Sequence, residues 1–456
     1  MVIAVCLVTG ISLIVGAGLT FLVSPMLQDL GLSSEQGSIA LALPSIGSLL
    51  VVFIAGRLGD RIGHRRVILG ASAGFVLGSA CLAAAQGMAM VGIGLLLAGA
   101  SATAIQIVAL GLLQSSLPYG PARVSGFTTY GMVFPAVYLV VPVLTGWTLG
   151  IASWRVVPIA WAVIGLLIPL AALRLITPPS TRLPVGEMWT PFLAGAALAS
   201  FVQGLNSGHD FGWTQPRTLI ELALALACGL AVTLISRSGR SISLSLAPLR
   251  KRPLRLLLLC VMLVVTANTL IYATLGLEYL YGMSALAAAL YLLPAQVASV
   301  IGAKVVAAQL MTRWGSARAG VVLISAFGAS LLTLLAMSAT SPVTLLVLST
   351  ALFSLFGFAS ITVVNATVMA HAPEGETGTV SAYRGAASSL GGAFTVVFLG
   401  GAIALVISRT STEPEGDLPN AAALANGLQT HGVLGAALAA AAAVAFWFGT
   451  RRSADS

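Results

Sequence analysis

Charge is what this sequence has least of. Acidic and basic residues together make up 8% of its 456 positions, where an ordinary soluble domain carries about 25%. So little charge cannot clothe a globule of this length in water, and a soluble protein is excluded. Cysteine is scarce as well. Cys6, Cys81, Cys228 and Cys260 each stand alone inside an apolar run, so neither a disulfide frame nor a thiolate metal centre is expected. There is no glycine-rich loop ending in Lys-Ser/Thr and no His-Glu-x-x-His. Those absences leave ATP-driven transport and an intramembrane metalloprotease without support. No nucleophile, base and orienting acid cluster together, so the chain is not expected to be an enzyme or to carry a cofactor or metal.

What is present is hydrocarbon. Apolar residues make up 58% of the chain and come in long runs. A helix needs about 20 apolar residues to cross a bilayer core. Fourteen such runs stand out, at 2–24, 37–56, 67–87, 90–112, 124–148, 156–176, 190–208, 217–236, 254–276, 285–307, 319–340, 343–366, 380–407 and 430–449. The first has no basic stretch before it and no cleavage site after it, so it is expected to persist as a helix and not to be removed as a signal peptide. The 49 glycines suit close approach of neighbouring helices, which is how bundles pack where no water drives them together.

The formal net charge of +9 invites a nucleic-acid partner, but its distribution argues for a membrane. With the N-terminus in the cytoplasm, fourteen crossings leave only Arg155, Arg217 and Arg409 outside, and nineteen of the 22 basic residues inside. That asymmetry is the positive-inside pattern. It predicts an inner-membrane protein with both termini cytoplasmic, in contact with the lipid bilayer and with no nucleic-acid role; separately, a monomer is the expected state.

Three stretches interrupt the apolar pattern: Thr177–Trp189, the basic Ser236–Pro253, and the polar Ser408–Thr430 with Glu413, Glu415 and Asp417. The first two bracket a pair of runs and divide the chain into an N-terminal bundle (1–176), a linker with two helices (177–252) and a C-terminal bundle (253–456). A repeat supports the division. Gly56–Arg66 reads GRLGDRIGHRR and Ala308–Arg318 reads AQLMTRWGSAR, and Leu, Arg, Gly and Arg recur at a constant offset of 252. Parallel halves of this kind put a substrate site between them, near the midplane.

The Gly56–Arg66 loop carries the sharpest local chemistry. Gly56 and Gly63 allow a tight turn and close contact. Asp60 lies among Arg57, Arg61, Arg65 and Arg66. Its carboxylate has three uses open to it: pairing with one of these, sitting at a positive helix N-terminus, or merely neutralising a basic loop. Either of the first two would gate the cytoplasmic ends of the helices.

On these residues the chain resembles the major facilitator superfamily, whose loop after helix 2 reads Gly-x-Leu-Ala-Asp-Arg-x-Gly-Arg-Lys. More narrowly, it is similar to the fourteen-helix drug:proton antiporter branch. Val141–Gly146, with Pro142 and Gly146, is a degenerate form of that branch's antiporter motif. Ser153-Trp154-Arg155, Gly212-Trp213, Pro248-Leu249 and Leu292-Leu293-Pro294 also fit. The resemblance implies an all-α polytopic membrane protein of two six-helix bundles plus two linking helices, fourteen spans in all. It also implies rocker-type alternating access and export of amphipathic or hydrophobic small molecules.

The branch's coupling groups are missing. Its helix 1 Asp has no counterpart in Val2–Val23, and its helix 4 Arg falls on Leu95. This leaves a facilitator-type or non-transporting relative as the alternative. The carboxylates nearest a span interior are Asp210, Glu221 and Glu278, all toward the outer face, and Glu221, Asp210 and His209 are the candidates for proton coupling. Lys304 is expected to snorkel. With so few charges the cavity should be neutral, favouring uncharged or weakly charged substrates. Its candidate contacts are Gln106 in helix 4, Asn268 and Tyr272 four apart in helix 9, Gln296 in helix 10, and Tyr130 and Tyr138 flanking Phe134 on helix 5. The same residues serve equally as interhelical hydrogen bonds or packing.

Overall fold

The computed structural model describes residues 1–175, 187–237, 246–268, 270–411 and 420–451. Arg182, Arg240 and Arg452, the acidic trio at 413–417 and most of the first linker lie outside them. Every regular element among the described residues is helical. In chain order these are α1 (Val2–Leu30), α2 (Ser34–Ile62), α3 (His64–Ala83), α4 (Met88–Ser116), α5 (Pro121–Ile151), α6 (Val156–Leu173), α7 (Trp189–Phe211) and α8 (Pro216–Arg237). There follow α9 (Arg252–Leu280), α10 (Ala287–Ala336), α11 (Val343–Ala370), α12 (Thr377–Thr410) and α13 (Ala421–Arg451). Twelve stretches are long and apolar enough to cross a membrane; α7 is not among them, while α10 runs for 50 residues. The chain is a multi-pass membrane protein.

Local chemistry starts and stops these helices. Gly31 ends α1 in the left-handed region (φ 62°), where a residue without Cβ has no penalty. Ser33 then opens α2 with a reciprocal box. Its Oγ accepts from the Gln36 N–H at 3.3 Å, and its own N–H donates to the Gln36 side chain at 2.9 Å. Two donors that would otherwise be orphaned are satisfied there. Gly63 (φ 96°) separates α2 from α3, and Gly315 (φ 72°) breaks α10 internally. These are the two glycines that the sequence repeat aligns.

Packing sorts the helices into two groups, α1–α6 and α9–α13, with the α7–α8 hairpin between them. α7 lies against both α2 and α12, and α8 packs on α7. Gly195 permits this, since a Cβ there would meet the carbonyls of Leu49 and Leu50. Leu49, Ala199, Val202, Leu205 and Ala393 close into one apolar cluster. The outer face of α8 shows Leu219, Ile220, Leu224, Leu226, Leu230 and Leu234, all exposed, as a lipid-facing helix requires.

At the end remote from the termini, Asp29 staples three segments. Its Oδ2 accepts from Trp154 Nε1 at 2.9 Å and pairs with Arg155 Nη2 at 3.0 Å, while Arg155 Nη1 donates to the Ala83 and Ala85 carbonyls at 3.1 and 2.7 Å. The pair is part-exposed, so its contribution is small, about 1 kcal/mol. Asp29→Asn is expected to lower the thermal midpoint of the purified protein slightly; an unchanged midpoint would show that the staple adds nothing.

Candidate functional site

The bundle is shut at the end that carries the termini. Asp60, in the last turn of α2, reaches the first turn of α12 in the other half. Its Oδ1 accepts from Gly378 N at 2.7 Å, and its Oδ2 accepts from Thr379 N at 2.8 Å and Thr379 Oγ1 at 2.7 Å. These are charge-assisted bonds to backbone donors that no earlier turn can satisfy, at the positive end of a helix. Of the partners open to Asp60, the structure selects the helix N-terminus. Beside it, buried His64 lies 3.5 Å from Thr377 Oγ1. Gly56 and Gly378 face one another so closely that a Cβ on either would strike the other's carbonyl. Arg61 and Arg65 are half-buried at this surface, while Arg66 is exposed and reaches only the Ile62 carbonyl at 3.5 Å. One layer further in, Val52, Ala55, Ile107 and Ala382 pack as an apolar plug between α2, α4 and α12.

Beyond the plug lies a cavity of about 1140 Å³. Ser12, Gln106 and Ser389 line its depth, and Ser38, Asp210 and Arg217 line its far end. The cavity therefore extends toward the end opposite the latch. Gln106, Thr103 and Tyr138 are lining residues, as is Phe134. Tyr130 is not. It is 3% exposed and edge-on to Phe134 at 6.2 Å, with its hydroxyl shut from solvent. The aromatic stripe thus starts in the cavity and continues beneath its floor.

Other candidates go elsewhere. Asn268 and Tyr272 do not share a face, because α9 loses helical geometry at Asn268 (φ −90°, ψ 79°). Spacing by four implies one face only while the helix is continuous. Asn268 packs where Gly357 of α11 leaves room. Tyr272 turns to buried His431 of α13, ring to ring at 5.1 Å, with its hydroxyl 3.4 Å from the Thr395 carbonyl. Gln296 is half-buried and is not a cavity-lining residue. Pro142 is half-buried and Gly146 is exposed with open space beside it.

His209 and Asp210 pair at 3.1 Å, and Arg217 with Glu221 at 3.3 Å. Asp210 and Arg217 thus stand at the cavity's far end, while none of the lining residues named in its depth is a carboxylate. Sequence reasoning missed Gln203 and Asn206 of α7, both cavity residues. The signal was present: with Asp210 they recur at i, i+3 and i+7, one face of a helix.

A family model described as Major Facilitator Superfamily matches residues 5–396. The tetracenomycin C resistance and export protein of Streptomyces glaucescens is 29% identical over 255 residues, 55% of this chain and 47% of that one. The cephamycin export protein CmcT of Amycolatopsis lactamdurans is 30% identical over 193 residues, 41% of this chain and 39% of that one. The chain thus spans about half the length of these curated relatives, or less. Among solved structures, the human organic anion transporter MFSD10 superposes with a TM-score of 0.68 at 13% identity, covering 98% of both chains. The E. coli fucose:proton symporter gives 0.65 at 14% identity, covering 99% of this chain and 98% of that one. At such identities the likeness is one of fold. The match of the family model over most of the length makes this chain a member of the Major Facilitator Superfamily.

Proposed function

We propose that the chain is a secondary transporter that exports amphipathic or hydrophobic small molecules by alternating access, from both-termini-inside topology in the inner membrane. The observation that carries this reading is the asymmetry between a latch at one end and a cavity directed to the other. With the termini cytoplasmic, it corresponds to an outward-facing state. The export named for two relatives, one resistance-linked, supports the direction. Counting α10 twice at its Gly315 break and adding α7 gives fourteen crossings, in keeping with the positive-inside distribution. The bounds 1–176, 177–252 and 253–456 remain our proposed division, and a monomer our proposed state. Proton coupling, where present, would use the pairs at the cavity's far end. A facilitator is the second reading, favoured by the lack of a carboxylate in the cavity's depth.

The test is efflux of a fluorescent lipophilic dye from preloaded cells, with and without a protonophore. Expression is expected to speed efflux severalfold. Unchanged retention across a panel of lipophilic dyes would overturn the exporter reading, and efflux indifferent to protonophore would point to a facilitator or to coupling by another ion.

A further inference from the structure

Arg384 lies seven residues inside α12, a place where cations are rare unless paired or functional. The described ion pairs are Arg155–Asp29, His209–Asp210 and Arg217–Glu221, so no carboxylate neutralises it among the described residues. Its Nη1 makes one long contact of 3.5 Å to Asn365 Oδ1 on α11, and its Nε is sealed from solvent without a partner. Tyr130 of α5 is close enough to feel its charge.

A second cation faces the same seam. Lys304 of α10 does not snorkel. Its Nζ donates to Thr129 Oγ1 of α5 at 2.5 Å, across the two halves, and its charge is felt by Cys6 of α1. The Tyr130 hydroxyl and Thr9 Oγ1 complete the group, both shut from solvent and within reach of each other. The carboxylates at the start of α12 are occupied or lie outside the helix. Asp60 is spent on the latch, and Glu376 precedes α12 by one residue.

The cluster sits just under the cavity floor. Ser12 and Ser389, which line the floor, are three and five residues from Thr9 and Arg384, or about 5 and 8 Å along their helices. Phe134 in the cavity and Tyr130 in the cluster form one aromatic wall between them.

We infer that Arg384 anchors an oxyanion site, with Lys304 adding positive charge from beyond Cys6, for the carboxylate, or a like group, of an amphipathic substrate whose apolar body lies along the Tyr130–Phe134 wall. The idea of a substrate rests on the exporter reading; the idea of an anion site does not. Two cations with no carboxylate partner among the described residues are half of an ion pair, and the substrate brings the other half. Such a site would stand beside the neutral cavity that the scarcity of charge led one to expect.

The full chain, in nanodiscs of neutral phosphatidylcholine, is titrated with pyrenebutyrate and with its methyl ester, reading energy transfer from tryptophan to pyrene. The acid is expected to bind at least about tenfold tighter than the ester, as charge-assisted hydrogen bonds imply. Arg384→Gln should abolish that preference while leaving ester binding in place; Arg384→Lys should keep part of it, and Lys304→Gln should reduce it. Elution as a single species checks the fold of each variant. Equal affinity for acid and ester overturns the proposal, as does a preference that survives the double variant. Chloride that raises the thermal midpoint while the acid shows no preference also overturns it, marking a resident ion. Preference for the acid in a chain that moves no solute would remove the exporter reading and leave the site standing.

Discussion

Asp60→Asn is expected to cut transport by tenfold or more while leaving insertion and fold intact. The substitution keeps the shape of the side chain and removes its charge. Three hydrogen bonds, at 2.7, 2.8 and 2.7 Å, join this carboxylate to the start of α12. Hydrogen bonds to a charged group contribute about 1.5–3 kcal/mol each, and the helix terminus adds up to about 1 kcal/mol. An amide has one acceptor oxygen and places an N–H₂ against a backbone N–H, so roughly 2–4 kcal/mol of the closed state should go. A change of that size shifts a two-state equilibrium by about 30- to 1000-fold, toward the state open at the termini. The fold has no such dependence, because the bonds cross between the halves and hold neither together internally. Dye efflux normalised to the amount of protein in the membrane is the measurement. Thr379→Val, which removes only one of the three bonds, should fall between wild type and Asp60→Asn. Normal efflux from Asp60→Asn would mean that the cycle does not pass through this latch.

The latch also marks how far sequence reading reaches. Asp60, Gly56 and Gly63 were legible because a carboxylate and small residues at a membrane boundary have few uses. The aligned glycines of the repeat adopt the same unusual backbone, Gly63 at φ 96° and Gly315 at φ 72°, a likeness that residue identity alone suggested. The choice of partner for Asp60 was not legible, since the donors lie 318 and 319 positions away and nothing local distinguishes an arginine from a helix terminus. Periodicity failed at Asn268 for a different reason: a face can be read only along an unbroken helix. Arg384 did not stand out because hydropathy locates a span but not the side of the helix that meets the other half. A cation near a helix end resembles one that snorkels until its neighbours are known.

Gly378→Val should be the more severe lesion. A Cβ at Gly378 would collide with the Gly56 carbonyl and come within 2.9 Å of Asp60 Oδ1, so the obstacle is backbone on one side and the latch itself on the other. The backbone cannot give way, and the carboxylate, though a side-chain tip, is held by its three hydrogen bonds, so the halves must part at the termini end to make room. The variant is expected to lose transport almost entirely and to rest in the opposite state. Its readout is a thiol at Ser381, which is 0% exposed when the end is closed. With the four native cysteines replaced, Ser381→Cys should resist maleimide in the wild-type background and react readily beside Gly378→Val. Unchanged protection would show that the Gly56–Gly378 contact is incidental to closure. Gly378→Ala separates this effect from damage to α12. Alanine favours a helix over glycine by about 1 kcal/mol, so α12 taken alone should gain while the contact between the halves is lost. Increased thiol reactivity in Gly378→Ala without a fall in thermal midpoint would therefore locate the defect at the seam between the halves and not within either of them.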